Sequence, residues 1–237
     1  MADRFYCPEL TPNGQLVLRD DEAKHLARVA RREVGEIVEI FDGKGHGWTA
    51  RIDAIAKNLV ELSRVEAMAD RCASIEITLL VAPPKGDRFD WLVEKATEIG
   101  VVTLVPIKTT RSVVDPRTSK LDRVRRLVIE ASKQCGRNRL MEIAETVNAV
   151  DAFRKASPMQ RFIAHASDDT KTHPAIEARS QVTLAIGPEG GWTQEELDAA
   201  LASGWKLLDL GETRLRIETA AIVGASRLIS FSEQIPS

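Results

Sequence analysis

The chain has 237 residues, of which 43% are hydrophobic and 29% charged, with a formal net charge of −2. That is room for one large domain or two small ones around a sizeable core, with an ordinary globular composition. It excludes a membrane-spanning class, because no apolar run approaches the ~20 residues a bilayer requires. The N-terminal "MADRFYCPEL" has no apolar signal core, so secretion is not expected. The three cysteines (Cys7, Cys72, Cys135) and four histidines (His25, His46, His165, His173) show no metal-ligand spacing. They predict free thiols in a reducing cytoplasm and no metal site.

In chain order, "DDEAKHLARVARREVG" reads as a short helix. Leu26, Val29 and Ala30 fall on one face, and Lys24, Arg28, Arg31 and Arg32 on the other. "EIVEIFDGKGHGWTARIDAIAKNLVELSRVEA" alternates apolar and polar residues between glycine-rich turns, which predicts antiparallel strands. Gly43–Gly47 imitates a dinucleotide loop. Trp48, Ala50 and Ile52 continue a strand rather than opening a helix, so a hairpin turn is expected there. Residues 1–70 thus form a small β-rich module.

The pattern changes near Ser74. "IEITLLVAPP" suits a strand buried on both faces. "RFDWLVEKATEIG" is a helix with Phe89, Leu92, Val93, Ala96 and Ile99 inward, stopped by Gly100. "VVTLVPI" is a strand, and "TSKLDRVRRLVIEASKQCG" a helix with Leu121, Val124, Leu127, Val128 and Ala131 inward. "RFIAH", "QVTLAIG" and "WKLLDLG" are strands. "TQEELDAALASG" is a helix capped by Thr193 and Glu196, and "IETAAIVGASRLIS" is the last helix. Strands alternating with helices predict a parallel sheet with helices on its faces over residues 74–237.

Between Val105 and Leu140 stand ten Lys and Arg: Lys108, Arg111, Arg117, Lys120, Arg123, Arg125, Arg126, Lys133, Arg137 and Arg139. Only Asp115, Asp122 and Glu130 oppose them. Such a local surplus in a mildly acidic chain fits an anionic partner such as nucleic acid. It fits a solvated helix face equally well.

Three loops follow an apolar strand and lead into a helix: "KTTRSVV", "GPEGGWT" and "GETRLR". In a parallel sheet such loops gather at the carboxyl ends of the strands, where ligands bind. In the second loop, glycines bring backbone N–H and C=O close to a ligand while Pro188 stiffens the turn. The loop lacks the Lys-Ser/Thr ending of a P-loop. The Glu189 carboxylate would repel a phosphate and suits a neutral or cationic ligand; the alternative is a tight turn at a helix start. In "LGETRLRIETA", Glu212, Arg214, Arg216 and Glu218 crowd next to core elements, where charges are usually paired or functional. Arg216 is a candidate for neutralising negative charge. Glu218 and Thr219 could equally serve as helix-start residues.

"KGDRFDWLVEKATEIGV", "RSVV", "QCGR", "IGPEGGW" and "LGETRLRIETA" occur in this order. Together they resemble the ribosomal small-subunit RNA methyltransferases that act on uridine N3, members of the SPOUT superfamily. Lys133 and Met141 depart from residues common in that family. The resemblance covers nearly the whole chain and implies an α/β fold: a SPOUT-type, mostly parallel sheet with a C-terminal trefoil knot over 74–237, preceded by a small PUA-like β-barrel over 1–70. It implies S-adenosyl-L-methionine (SAM) as cofactor. By position, the cofactor contacts would be Thr110, Gly187, Pro188, Glu189, Gly190, Gly191, Leu210, Gly211, Leu215, Arg216, Glu218 and Thr219. Arg216 and Glu218 would be catalytic. The RNA partner, 16S rRNA of the small ribosomal subunit, would meet Arg28, Arg31, Arg32, Arg123, Arg125, Arg126, Arg137 and Arg139. A cytoplasmic homodimer, with no membrane or metal partner, completes the expectation.

Three rivals remain at this level. One is another SPOUT activity, on a ribose 2′-hydroxyl or on transfer RNA. Another is a non-catalytic RNA-binding protein, which would be expected to lose the glycines of "GPEGG" or the "LRIETA" loop. The third is a nucleotide-binding metabolic enzyme, which would not need the basic surface.

Overall fold

The computed structural model describes residues 3–9, 16–112, 121–155, 159–165, 176–177 and 180–233. Arg117, Lys120, Asp115, His173 and the Val-Val of "RSVV" lie outside the described residues, as does the side chain of Leu121. The chain divides into two compact units, Met1–Cys72 with Ile129–Leu140, and Ala73–Val128 with Met141–Ser237. No helix among the described residues is long and apolar enough to cross a membrane.

The first unit is built on a five-stranded sheet in the order β1-β3-β4-β5-β2. Its strands are β1 (Arg4–Tyr6), β2 (Leu16–Arg19), β3 (Ile37–Phe41), β4 (Gly47–Ala56) and β5 (Leu59–Met68). β1 runs parallel to β3 and the other pairs are antiparallel. Alternation predicts β3, β4 and β5 correctly because one face packs inward: Val38, Ile40, Ala50, Ile52, Val60 and Leu62 are buried with Leu16, Leu18 and Leu26. Gly43–Gly47 is the expected hairpin turn, with Phe41 opposite Gly47. Buried Asp42 organises it by accepting from the backbone N–H of Lys44 (2.7 Å) and His46 (3.1 Å) and from the His46 ring (2.7 Å).

The helix predicted at Asp20 needs a correction. α1 (Asp20–Lys24) passes into a π-helical turn over His25–Val29, in which Ala30 N donates to His25 O at 2.9 Å. The extra residue in that turn rotates the following positions. Leu26 stays fully buried, but Val29, expected inward, is 72% exposed. Arg31 then closes the segment at φ 52°.

The second unit carries a parallel sheet in the order β12-β10-β11-β6-β7-β8, with β9 also pairing with β7. The strands are β6 (Glu76–Val81), β7 (Thr103–Lys108), β8 (Glu142–Ile143), β9 (Val147–Asn148), β10 (Gln160–Ala164), β11 (Gln181–Ile186) and β12 (Lys206–Leu208). The helices are α2 (Asp87–Glu98), α3 (Leu121–Cys135), α4 (Ala149–Lys155), α5 (Gln194–Ala202) and α6 (Ile217–Glu233). α4 and α5 cover one face, packing Phe153, Leu197, Ala200, Trp192 and Trp205 onto Leu80, Ile107, Ile163 and Ala185. On the other face α6 lies against β6 and β11 with α2 beside it. Gly224 permits the approach, since a Cβ there would stand 2.8 Å from Leu184. Thus the continuous apolar runs are strands buried on both faces, as read from the sequence.

Two features escape the sequence reading. β1, β2, β8, β9 and α4 are too short for their periodicity to stand out. The end of α3 and its following loop, 129–140, belong to the first unit. There Asn138 donates to Ala69 O (3.3 Å), its N–H donates to Asp70 (3.2 Å) and its side-chain oxygen accepts from Arg4. Arg4 also donates to Arg137 O at 2.8 Å. Lys133 pairs with Glu22 in the same unit.

Candidate active site

β11, β6 and β7 are neighbours in the parallel sheet, so the loops at their carboxyl ends converge. The order of connection reverses here: the chain leaves β6 for β7 on one side, and β11 later enters on the other. Such a switch point opens a crevice between the loops. A small cleft, open to solvent, lies in that place. Ala82–Lys85 line it after β6, Ser112 after β7, Pro188 and Glu189 after β11, and Ile217 at the start of α6.

The first two loops are tied into one frame by Glu196. Thr193 caps α5, accepting from Glu196 N at 3.2 Å, and Glu196 Oε2 accepts from Thr193 N at 2.9 Å. The other oxygen accepts from Thr110 N at 2.7 Å. Burial pushes the Glu196 carboxyl up, but donation from Thr193 and Thr110 outweighs it and holds the group below the usual carboxylate range. Arg111 adds a second tie by donating to Gly190 O (2.7 Å) and Trp192 O (3.3 Å).

Within the second loop, Gly191 N donates to Pro188 O at 2.8 Å and Gly191 adopts φ 70°. Gly187 is required for space: a Cβ would lie 2.8 Å from the buried Trp192 ring, whose indole N–H donates to Ala164 O at 3.0 Å. By contrast Gly191 has nothing within 4 Å of where its Cβ would be, so the space beside its Cα is open.

The third loop joins β12 to α6. Leu210, Gly211 and Leu215 are half-buried, and Gly211 N donates to Asp209 at 3.0 Å. Arg216 precedes the first turn of α6, and its carbonyl accepts from Ala220 N at 2.8 Å. Its side chain is exposed and makes no ion pair or hydrogen bond among the described residues. Glu218 is buried in that first turn, its Oε2 without a hydrogen-bond partner among the described residues. Thr219 is half-buried beside it.

The structure therefore brings Pro188 and Glu189 to the cleft, with Ile217 at the start of α6. Glu189 and Glu218 share a third residue, Arg88 of α2, at 2.9 and 4.0 Å. Arg88, Ser112 and Arg111 were not assigned a site role from the sequence. "KGDR" and "RS" carried the signal, but nothing local says that these residues meet "GPEGG". Among the basic residues, Arg28, Arg31, Arg123, Arg125, Arg126 and Arg139 are exposed. Arg123 is paired with Asp90 and Arg125 with Asp122. Arg32 is engaged by Asp3 and Glu36. Arg137 is buried, 5% exposed, and burial pulls its guanidinium pKa down. Among the described residues no group of three or more His, Cys, Asp or Glu is placed to hold a metal ion.

Comparison with known proteins agrees with this architecture. A family model described as an RNA methyltransferase domain matches residues 71–229, and one described as an RNA methyltransferase PUA domain matches 18–63. The chain belongs to this RNA methyltransferase family. A ribosomal RNA small subunit methyltransferase E from Aquifex aeolicus is 30% identical, the match covering 96% of this chain and 99% of the relative. The protein of that name from a Synechocystis strain is 29% identical over 95% of this chain and 76% of its own length. The crystal structure of the Neisseria gonorrhoeae ribosomal RNA small subunit methyltransferase E bound to SAM superimposes with a TM-score of 0.89. It is 29% identical, with 97% of this chain and 98% of that chain covered.

Proposed function

We propose that this chain is a SAM-dependent methyltransferase of 16S rRNA that acts at N3 of a uridine. The observation that carries the reading is the buried Glu218 carboxylate oxygen without a hydrogen-bond partner among the described residues, linked through Arg88 to the glycine-rich loop at Glu189. Such carboxylates suit a cationic or polar ligand and repel a phosphate. The residues present therefore fit SAM, which would be held by Pro188, Glu189, Gly190 and Gly191, with Thr110, Leu210, Gly211, Leu215, Arg216, Glu218 and Thr219 around it. The solved Neisseria relative, bound to SAM, supports the assignment.

Bound SAM supplies an electrophilic methyl group on a sulfonium. The chain must then make uridine N3 nucleophilic, which requires loss of its proton. Arg216 is the group suited to the anion that results, because its guanidinium is committed to no ion pair among the described residues and stays charged. It stabilises charge that develops at a uracil carbonyl oxygen. Glu218, buried and with one oxygen unpartnered, is placed to accept a proton or to fix the loop. The frame made by Glu196 and Arg111 holds the loops before ligand arrives, so positioning costs little at the moment of reaction.

RNA phosphates would meet the exposed Arg28, Arg31 and Arg126. Arg123, Arg125, Arg139 and Arg32, each paired with a carboxylate, and the buried Arg137 would first have to leave their present surroundings. The same reading carries a homodimer, a C-terminal trefoil knot and a cytoplasmic setting for an enzyme of the ribosome. The test is mass-spectrometric mapping of 16S rRNA after deletion of the gene. One uridine should lose an N3-methyl group and regain it on complementation. An unchanged uridine pattern, or a lost 2′-O-methyl mark instead, would reject the N3 assignment.

A further inference from the structure

Arg88 occupies an unusual electrostatic position. It lies in the first turn of α2, at the exit of β6, and one guanidinium nitrogen faces two carboxylates from two other elements. Glu189 Oε1 of the β11 loop is 2.9 Å away, a charge-assisted hydrogen bond. Glu218 Oε1 of α6 is 4.0 Å away, beyond hydrogen-bond distance. Glu218 is buried, with a side chain only 9% exposed, while its other oxygen has no hydrogen-bond partner among the described residues. At this contact one cation answers two anions. Lys85, exposed, lines the cleft, and Arg111 keeps its charge while donating to the carbonyls of Gly190 and Trp192, but neither is paired with Glu189 or Glu218 among the described residues.

We propose that Arg88 is a specificity-determining residue: it sets the net charge of the cleft and so the discrimination between a cationic sulfonium ligand and its neutral thioether counterpart. The inference rests on the cofactor reading above. A sulfonium carries a positive charge that the thioether formed by methyl loss does not. Arg88 reaches the cleft through Glu189, which lines it. Removing the guanidinium leaves that carboxylate unneutralised and shifts the preference towards the sulfonium. Arg88 acts by charge as well as by linking the three elements, and these two roles have different signatures.

Calorimetric titration of the full-length protein with SAM and with S-adenosylhomocysteine separates them. For Arg88→Gln at low salt, the ratio of SAM affinity to S-adenosylhomocysteine affinity should rise roughly three- to tenfold, from one charge removed at a few ångströms in a partly solvated site. The rise should shrink at high salt. Arg88→Lys should keep the wild-type ratio. Glu189→Gln should move the ratio the other way, and this variant serves if Arg88→Gln does not fold. If both ligands weaken by the same factor in Arg88→Gln, or the ratio is unmoved in Glu189→Gln, the residue only ties loops and the inference is wrong. Wild-type protein that binds neither ligand overturns the cofactor reading and the inference with it. Wild-type binding with an unmoved ratio overturns the inference alone.

Discussion

The loops that leave β11 and β12 both run from a parallel strand into a helix, yet the fold holds them differently. The β11 loop is braced on every side. Gly187 admits the Trp192 ring, the indole N–H reaches Ala164 O, Arg111 grips two carbonyls and Glu196 joins the loop to Thr110. The β12 loop has few ties, those at Asp209 among them: Gly211 N to its carboxylate and Arg227 to its carbonyl (3.0 Å). Glu212, Thr213, Arg214 and Arg216 stand exposed. The difference teaches that one loop supplies a pre-set frame and the other supplies uncommitted charge. A pre-set frame saves reorganisation, whereas a catalytic cation must remain free to meet charge that forms only during reaction.

The contrast can be broken at its sharpest point by Arg216→Ala. Turnover should fall about a hundredfold or more, while stability stays within about 0.5 kcal/mol of wild type because the side chain is exposed and makes no ion pair among the described residues. Steady-state methylation of small-subunit RNA, read beside a thermal melt, checks both halves. Near-normal turnover would remove Arg216 from the chemistry.

Gly187→Ala should show the opposite profile. The new Cβ would sit 2.8 Å from the Trp192 ring, which has little freedom because it is 6% exposed. A loss of roughly 1–3 kcal/mol is expected, visible as a Tm lower by several degrees. An unchanged Tm would mean that the β11 loop is not braced by that ring.

The smallest effect expected is at Glu196. Glu196→Gln should cost about 1–2 kcal/mol by weakening the donations from Thr193 and Thr110. The carboxyl is held below its ordinary value of 4.5 in the folded chain. Its contribution is therefore complete above that value and is lost as pH falls through the lower folded value. The gap in Tm between wild type and variant should be widest near neutral pH and close as pH falls below the ordinary carboxylate range. A gap that stays constant across this range would show that the ionised carboxylate is not what joins the loops.

Much of the architecture was legible locally. Alternation marked β3, β4 and β5, and continuous apolar runs marked β6, β7 and β11. Thr193 and Glu196 announced the start of α5, where the capping box is found. Gly100, expected as a stop, adopts φ 97° just past α2. Val29 was misplaced because a π-turn and an α-turn share the same residue types, and only the packing of Leu26 selects between them. Arg137 looked like surface charge in a basic run, but it is buried beside Asn138 in the first unit. Nothing in its immediate sequence announces that residues 129–140 pack there.

The sequence by itself determined the periods, the caps, the glycine-rich loop with its carboxylate, and the crowded charges of "LGETRLRIETA". These follow from interactions within a few residues, which neighbouring side chains encode. Tertiary structure alone decided that β11 enters beside β6, that Glu196 reaches across to Thr110, and that Arg88 meets Glu189 and Glu218. Those partners are far apart in the chain. Their meeting depends on strand order, which is set by burying both faces of one sheet rather than by any local pattern.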